Sequence, residues 1–132
     1  MASKRLLLID DNEDSQMLVK LALEMNTDWE VLLASDEIDG VTKAESERPD
    51  VILLDLIMPN LDGFAVYEVL MSNLFTCSIP IIFITALNQP KIIARLENTL
   101  AEGIIIKPLN FIDLDSQIAK MCNWDRLSEV RV

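Results

Sequence analysis

Val51-Ile52-Leu53-Leu54-Asp55 is a run of four branched apolar residues closed by a carboxylate, and three other stretches repeat the design. Leu6-Leu7-Leu8-Ile9 runs into Asp10-Asp11, Ile81-Ile82-Phe83-Ile84 into Thr85, and Ile104-Ile105-Ile106 into Lys107. Short continuous apolar runs read as strands covered on both faces, the condition of a parallel sheet. In such a sheet all strands finish on one edge, and ligands bind in the crevice outside their carboxyl ends. Packing alone gives no reason to end apolar strands in charge, so these terminal residues are the candidates for chemistry.

Outward from these runs, strands are expected at 4–9, 29–34, 50–55, 80–85 and 103–106, with helical patterns between them. Leu18, Leu21, Ala22 and Met25 form an i, i+3, i+4, i+7 stripe on the first helix. Ser35 or Asp36 can cap a helix over 36–47, and Gly63 to Met71 carries a third after the turn signal Asp62-Gly63. Pro90 suits the first turn of a fourth helix, with Ile92, Ile93, Leu96 and Leu100 as its apolar face. Asn110 can cap a last helix reaching Cys122, with Phe111, Leu114, Ile118 and Met121 inward. The alternation is (βα)5. Right-handed crossovers then favour an α/β fold: an open, doubly wound, five-stranded parallel sheet of order 2-1-3-4-5.

The chain of 132 residues, 51% hydrophobic, fits one domain with one core. That domain is expected over 1–122. Residues 123–132 form a short C-terminal tail, too few for an output domain, with Trp124 packing back on the last helix. Lys and Arg number 11 against 22 Asp and Glu, a net charge of −11, and no basic run occurs, which argues against nucleic acid as a partner. No apolar run approaches the ~20 residues of a membrane span, and the N-terminus meets acid too early for a secretion signal, so a cytoplasmic location is expected. Cys77 and Cys122 read as two half-buried thiols, since 45 residues separate them. The absence of histidine removes His-based triads, His-ligated zinc and phosphohistidine chemistry on this chain.

Asp10, Asp11 and Asp55 brought to one edge repel one another unless a cation neutralises them. An all-oxygen set of carboxylates, a main-chain carbonyl and water suits Mg²⁺, which usually shares its coordination with phosphate. A carboxylate can attack phosphorus to give an aspartyl phosphate, and the charge spreading over the equatorial oxygens then calls for a cation and a hydroxyl. Lys107 and Thr85 are one of each. Asp55 is the best nucleophile because its strand is central, between the one ending in Asp10-Asp11 and the one ending in Thr85. Singly, each residue has an ordinary explanation: a helix cap, a turn, a β-branched strand residue, a strand terminus. Jointly, at four strand ends, they do not.

At these residues the chain closely resembles the receiver domain of two-component response regulators, over residues 4 to about 122. The likeness rests on Ile9-Asp10-Asp11, Leu54-Asp55 followed by Met58-Pro59 and Asp62-Gly63, Ile84-Thr85-Ala86, and Ile106-Lys107-Pro108, in family order and spacing. The resemblance implies a flavodoxin-like fold and a single-domain phosphoacceptor that signals by changing protein–protein interactions. It implies no enzymatic activity beyond self-phosphorylation and slow autodephosphorylation. It implies that Asp55 takes phosphate from a histidine kinase or histidine phosphotransfer protein. Asp11 would bind Mg²⁺ directly, Asp10 would assist, and the Ile57 carbonyl would complete the ligands. Thr85 and Lys107 would hold the phosphoryl group, with Ile57 and Ala86 beside it. The family's kinase-docking face is helix 1, here Glu13, Gln16 and Lys20.

Ile104 stands where the family carries an aromatic that relays the signal, so transmission is expected through helix 4 packing or through dimerisation as a weak homodimer. Ile57 and Leu87 stand where polar residues in relatives orient the hydrolytic water, so a long-lived phosphoryl group is expected. Two other functions fit less well. A haloacid dehalogenase-like phosphatase would place a second Asp where Ile57 stands, and a flavodoxin-like cofactor binder would not open its phosphate loop with Asp10-Asp11-Asn12-Glu13-Asp14.

Overall fold

The structure, a computed structural model, describes residues 3–58, 61–86 and 88–124, with the backbone alone at 57, 58 and 61. Its elements are β1 (Arg5–Ile9), α1 (Glu13–Asn26), β2 (Glu30–Ala34), α2 (Glu37–Glu47), β3 (Val51–Asp55), β4 (Ile57–Met58), β5 (Leu61–Asp62), α3 (Gly63–Ser72), β6 (Ile81–Thr85), α4 (Pro90–Glu97), β7 (Gly103–Ile106) and α5 (Leu114–Met121). Five strands form one parallel sheet in the order β2-β1-β3-β6-β7, the doubly wound order expected. β4 and β5 pair antiparallel as a separate small hairpin.

Register decides what the strand ends can do. Ile9 lies opposite Leu54 and Asp55 opposite Ile84, so Asp10 leaves β1 at the level where Asp55 closes β3. Thr85 lies opposite Ile106, which sets Lys107 one step beyond. The sheet is apolar on both faces because side chains alternate with a period of two. Leu7, Ile9, Ile52, Leu54 and Phe83 meet α2, α3 and α4 through Ala44, Val66, Leu70 and Leu96. Leu6, Leu8, Leu53, Ile82 and Ile84 meet α1 and α5 through Val19, Leu23, Leu114 and Ile118. Each of these leucines and isoleucines contributes about 1.5–3 kcal/mol on burial, and the sum holds the polar end of the sheet in place.

Local signals fix the joints. Asn12, Asp36 and Asp62 cap α1, α2 and α3 by accepting from Ser15, Asp39 and Phe64 N–H. The outer edge of β2 is sealed by side chains: Glu24 accepts the Val31 N–H at 2.8 Å, Lys20 donates to the Val31 carbonyl at 2.8 Å, and Lys43 donates to the Leu33 carbonyl at 2.5 Å. Charged groups on an edge prevent pairing with a foreign strand.

Four expectations need correction. The Leu18, Leu21 and Met25 stripe of α1 faces outward, 52%, 57% and 73% exposed; the buried face is Gln16, Val19 and Leu23. Gln16 is therefore not part of a docking surface. Helix α4 ends at Glu97, so Leu100 lies beyond it and is 77% exposed. α5 begins at Leu114 with Asp113 at its N-cap, while Asn110 accepts the Ile112 N–H in a preceding turn. Trp124 does fold back: its N–H donates to the Ala119 carbonyl at 2.9 Å, and its ring meets Trp29 edge-on at 5.1 Å. The remainder of the tail, 125–132, lies outside the described residues. Cys77 and Cys122 are both half-buried and unbridged, and burial pushes the Cys122 thiol up to about 11.

Gly63 shows how tightly the loop after β3 is folded. A Cβ there would lie 2.5 Å from the Asp55 carbonyl oxygen and 2.6 Å from both the Leu56 Cα and its oxygen, all main-chain atoms with no rotamer to yield. Gly63→Ala is expected to lower unfolding free energy by about 1–3 kcal/mol in urea titration; an unchanged midpoint would show that the loop can relax.

Candidate functional site

Asp55 is 3% exposed at the end of the central strand, and Lys107 Nζ lies 2.6 Å from its Oδ2. The lysine reaches the carboxylate because the β6–β7 ladder continues one residue past β7, with the Lys107 N–H donating to the Thr85 carbonyl at 2.8 Å. Leu56 N–H donates to the Ile84 carbonyl and Gly63 N–H returns to the Leu56 carbonyl, both at 2.9 Å. The chain thus leaves Asp55 and is turned back by the small hairpin, where Ile57 pairs with Asp62. Thr85 is fully buried beside this pair of strands, and Ala86 after it is exposed.

Asp10 is 4% exposed, and its Oδ1 accepts the Asn12 N–H at 2.9 Å. Burial raises its pKa. The negative charges of Asp55 and Asp11 add to this, while the Asn12 N–H and Lys107 pull the other way. The mutual effect of Asp10, Asp11, Asp55 and Lys107 identifies one electrostatic unit, with three carboxylates against one ammonium. Sequence reasoning grouped these residues, and the structure brings them to the same edge. Leu87 lies outside the described residues.

This donor set fits a hard divalent cation. Its donors are carboxylate oxygens with an excess of negative charge, and the repulsion felt at Asp10 is what a cation would relieve. Among the described residues no group of three or more His, Cys, Asp or Glu side chains forms a ready cage. Mg²⁺ is usually held by carboxylates together with main-chain oxygen and water.

Two features have no counterpart in the sequence reading. A cavity of about 140 Å³ opens next to Lys107 and Asp10, walled by Leu8, Leu18, Ile84 and Phe111. Gln16, a polar residue on the buried face of α1, points its amide at the ends of β1 and β2. A hydrophobicity pattern marks neither, because the first depends on how a loop closes over a helix and the second on acceptors supplied by distant strands.

Residues 6–119 match the family model described as the response regulator receiver domain. The DNA-binding dual master transcriptional regulator RpaA of Synechocystis sp. is 34% identical over 117 residues, 89% of this chain and 47% of that protein. Response regulator PleD of Caulobacter vibrioides is 33% identical over 123 residues, 92% and 27% respectively. The chain thus spans less than half the length of either. Protein PilH of Pseudomonas aeruginosa is 36% identical over 85 residues, 64% of this chain and 69% of that one. Among solved structures, chemotaxis protein CheY4 of Vibrio cholerae superposes with a TM-score of 0.82 at 26% identity, covering 91% of this chain and 99% of that one.

Because the folded state binds the Asp10 proton more tightly than the unfolded chain, its stabilising contribution is complete below the ordinary value of 3.8 and is lost as pH rises through the raised one. Asp10→Asn keeps an acceptor for the Asn12 N–H. In metal-free buffer it is expected to melt above the parent at pH 7, with the gap closing towards about pH 4. Equal melting at pH 7 would contradict the assignment.

Proposed function

The chain belongs to the response regulator receiver domain family, a phosphoacceptor signalling module, and from that premise we propose that Asp55 accepts a phosphoryl group in a Mg²⁺-dependent reaction. The donor is a phosphohistidine on a histidine kinase or histidine phosphotransfer protein. A carboxylate oxygen of Asp55 attacks phosphorus in line as the donor's P–N bond breaks, and the electron pair leaves with the imidazole nitrogen. Lys107, already 2.6 Å from Asp55, exchanges its carboxylate contact for an oxygen of the arriving group. The Thr85 hydroxyl donates to another phosphoryl oxygen, with the main chain at Ile57 and Ala86 beside it. Asp10 and Asp11, with Asp55 and the Ile57 carbonyl, would hold Mg²⁺, which when bound would neutralise the charge shared by the carboxylates and the phosphoryl oxygens. The observation that carries the reading is the contact of the buried Asp55 carboxylate with the half-buried Lys107, level with Asp10 at the carboxyl ends of parallel strands.

The donor docks on α1. Met17, Leu18, Leu21 and Met25 are 58%, 52%, 57% and 73% exposed and lie along one side of the helix, an apolar patch of the kind that marks an interface. Leu18 also walls the cavity that ends at Lys107 and Asp10, so the patch leads into the site. A helix carrying the donor histidine fits such a surface. The apolar stripe thus takes the part that the sequence reading gave to Glu13, Gln16 and Lys20.

Signalling proceeds by altered protein contacts of the receiver domain, which the family model matches over residues 6–119. A cytoplasmic location accords with this reading; no helix among the described residues is long and apolar enough to cross a membrane. Ile104 and Ile93 both pack against the Phe83 side of the core, so an aromatic swing at 104 is not the relay. Two contacts tie the α4 region to α3 instead. The Arg95 guanidinium lies 3.6 Å from the Phe64 ring centroid, and the Leu100 N–H donates to the Tyr67 hydroxyl at 2.8 Å. Since α3 starts at Gly63 against the Asp55 carbonyl, a shift at Asp55 reaches α4, and from there a protein target or a weak homodimer.

Incubation with a small-molecule phosphodonor and Mg²⁺ is expected to add one phosphoryl group by mass, absent in Asp55→Asn; labelling of Asp55→Asn would move the acceptor elsewhere. The group should be long-lived, and Ile57→Asn with Leu87→Glu should speed its hydrolysis; loss within seconds from the parent would refute this. Leu21→Asp is expected to slow transfer from a histidine donor by about tenfold, as for loss of a central interface residue, while labelling by the small molecule is unchanged. Equal slowing with both donors would place the defect in the site instead of the docking face.

A further inference from the structure

Gln16 is the one polar residue among the three buried positions of α1. It is 6% exposed and shares the inward face with Val19 and Leu23. A buried amide must find partners, and this one finds three. Its Nε2 donates to the Asp10 carbonyl, to the Ala34 carbonyl at 3.2 Å and to the Ser35 hydroxyl oxygen at 3.1 Å. The first belongs to the loop leaving β1, and the other two to the end of β2 and the loop after it.

The position of the Asp10 carbonyl makes this bond consequential. Asp10 is the first residue past β1, and its N–H still donates across to the Ala34 carbonyl at 3.0 Å. Its own carbonyl lies beyond the last strand pair, Ile9 with Ala34, and Gln16 takes the place of a strand partner. A peptide unit is planar, so fixing the direction of that carbonyl also fixes the N–H and the departing Cα of Asp11. The Asp10 side chain is held separately by the Asn12 N–H at 2.9 Å. One side-chain amide therefore sets the plane of the peptide that joins the two acids.

On the reading that Asp10 and Asp11 hold Mg²⁺, we infer that Gln16 is a positioning residue for this acidic pair: its amide clamps the Asp10–Asp11 peptide to the end of β2 and so fixes where the Asp11 carboxylate leaves the chain beside that of Asp10. Groups that orient metal ligands typically change metal affinity by about 10–100-fold when removed.

The test is calorimetric titration of MgCl₂ into the full chain, with melting of each metal-free protein measured alongside. Gln16→Met and Gln16→Leu both remove the donors while filling the space, and either suffices if the other does not fold. Each is expected to weaken Mg²⁺ binding by about tenfold or more. Gln16→Arg, which keeps N–H donors, should recover most of the loss. Leu23→Ala, on the same buried face, lowers stability without touching the loop and should leave affinity within about twofold. Unchanged affinity in the Gln16 variants would overturn the proposal, as would an equal loss in Leu23→Ala. Should the parent bind Mg²⁺ no better than Asp11→Asn, the reading of the acidic pair itself fails and the positioning role falls with it.

Discussion

Like charge crowded at one end of an apolar sheet is the condition around which this molecule is organised. Asp10 and Asp55 are both almost wholly buried, where a carboxylate without a partner is expensive. One is matched by the Lys107 ammonium at 2.6 Å. The other keeps the Asn12 N–H and a raised affinity for its proton. Such an arrangement survives only because the parallel register brings the strands to the same level and two apolar layers hold them there. A slip of one residue in any strand pair would turn its side chains to the opposite face and scatter the charges. The same tension that costs the fold stability underlies the proposed binding of a cation and a phosphoryl group.

Much of this was legible in the chain. All five strands fall within a residue of their expected bounds, because a doubly covered parallel strand is written as a run such as Val51 to Leu54 that nothing else resembles. Asp10, Asp55, Thr85 and Lys107 were legible for the converse reason, being polar where packing asks for none. The face of α1 was misread because Gln16 counts as a surface residue in any hydrophobic pattern. Only the carbonyls at the ends of β1 and β2 explain why it turns in and why Leu18, Leu21 and Met25 turn out. Helix α4 stops short of Leu100 because the Leu100 N–H is claimed by Tyr67, a residue 33 positions earlier. The two-residue strands β4 and β5 are too short to leave any periodicity.

The contacts around α4 give Ile104 a coherent setting. Phe83, Phe64 and Tyr67 form a tilted cluster with centroid separations of 5.9 and 5.4 Å, placing aromatic rings between β6 and α3. Ile104 on β7 packs against the same core cluster as these rings. Stiff aromatic packing transmits small displacements because interiors are close-packed.

Both tryptophans of the chain meet at the amino-terminal side of the sheet: Trp29 just before β2, Trp124 just after α5, with Lys4 Nζ 5.0 Å above the latter ring. A five-residue strand rises roughly 17 Å, and Asp55 closes β3 at the other end of the sheet. Intrinsic fluorescence of this protein therefore reports first on the contact of Trp124 with Trp29 and only remotely on the acidic end. A spectroscopic probe of occupancy there has to be built in, on the loops that surround the acceptor.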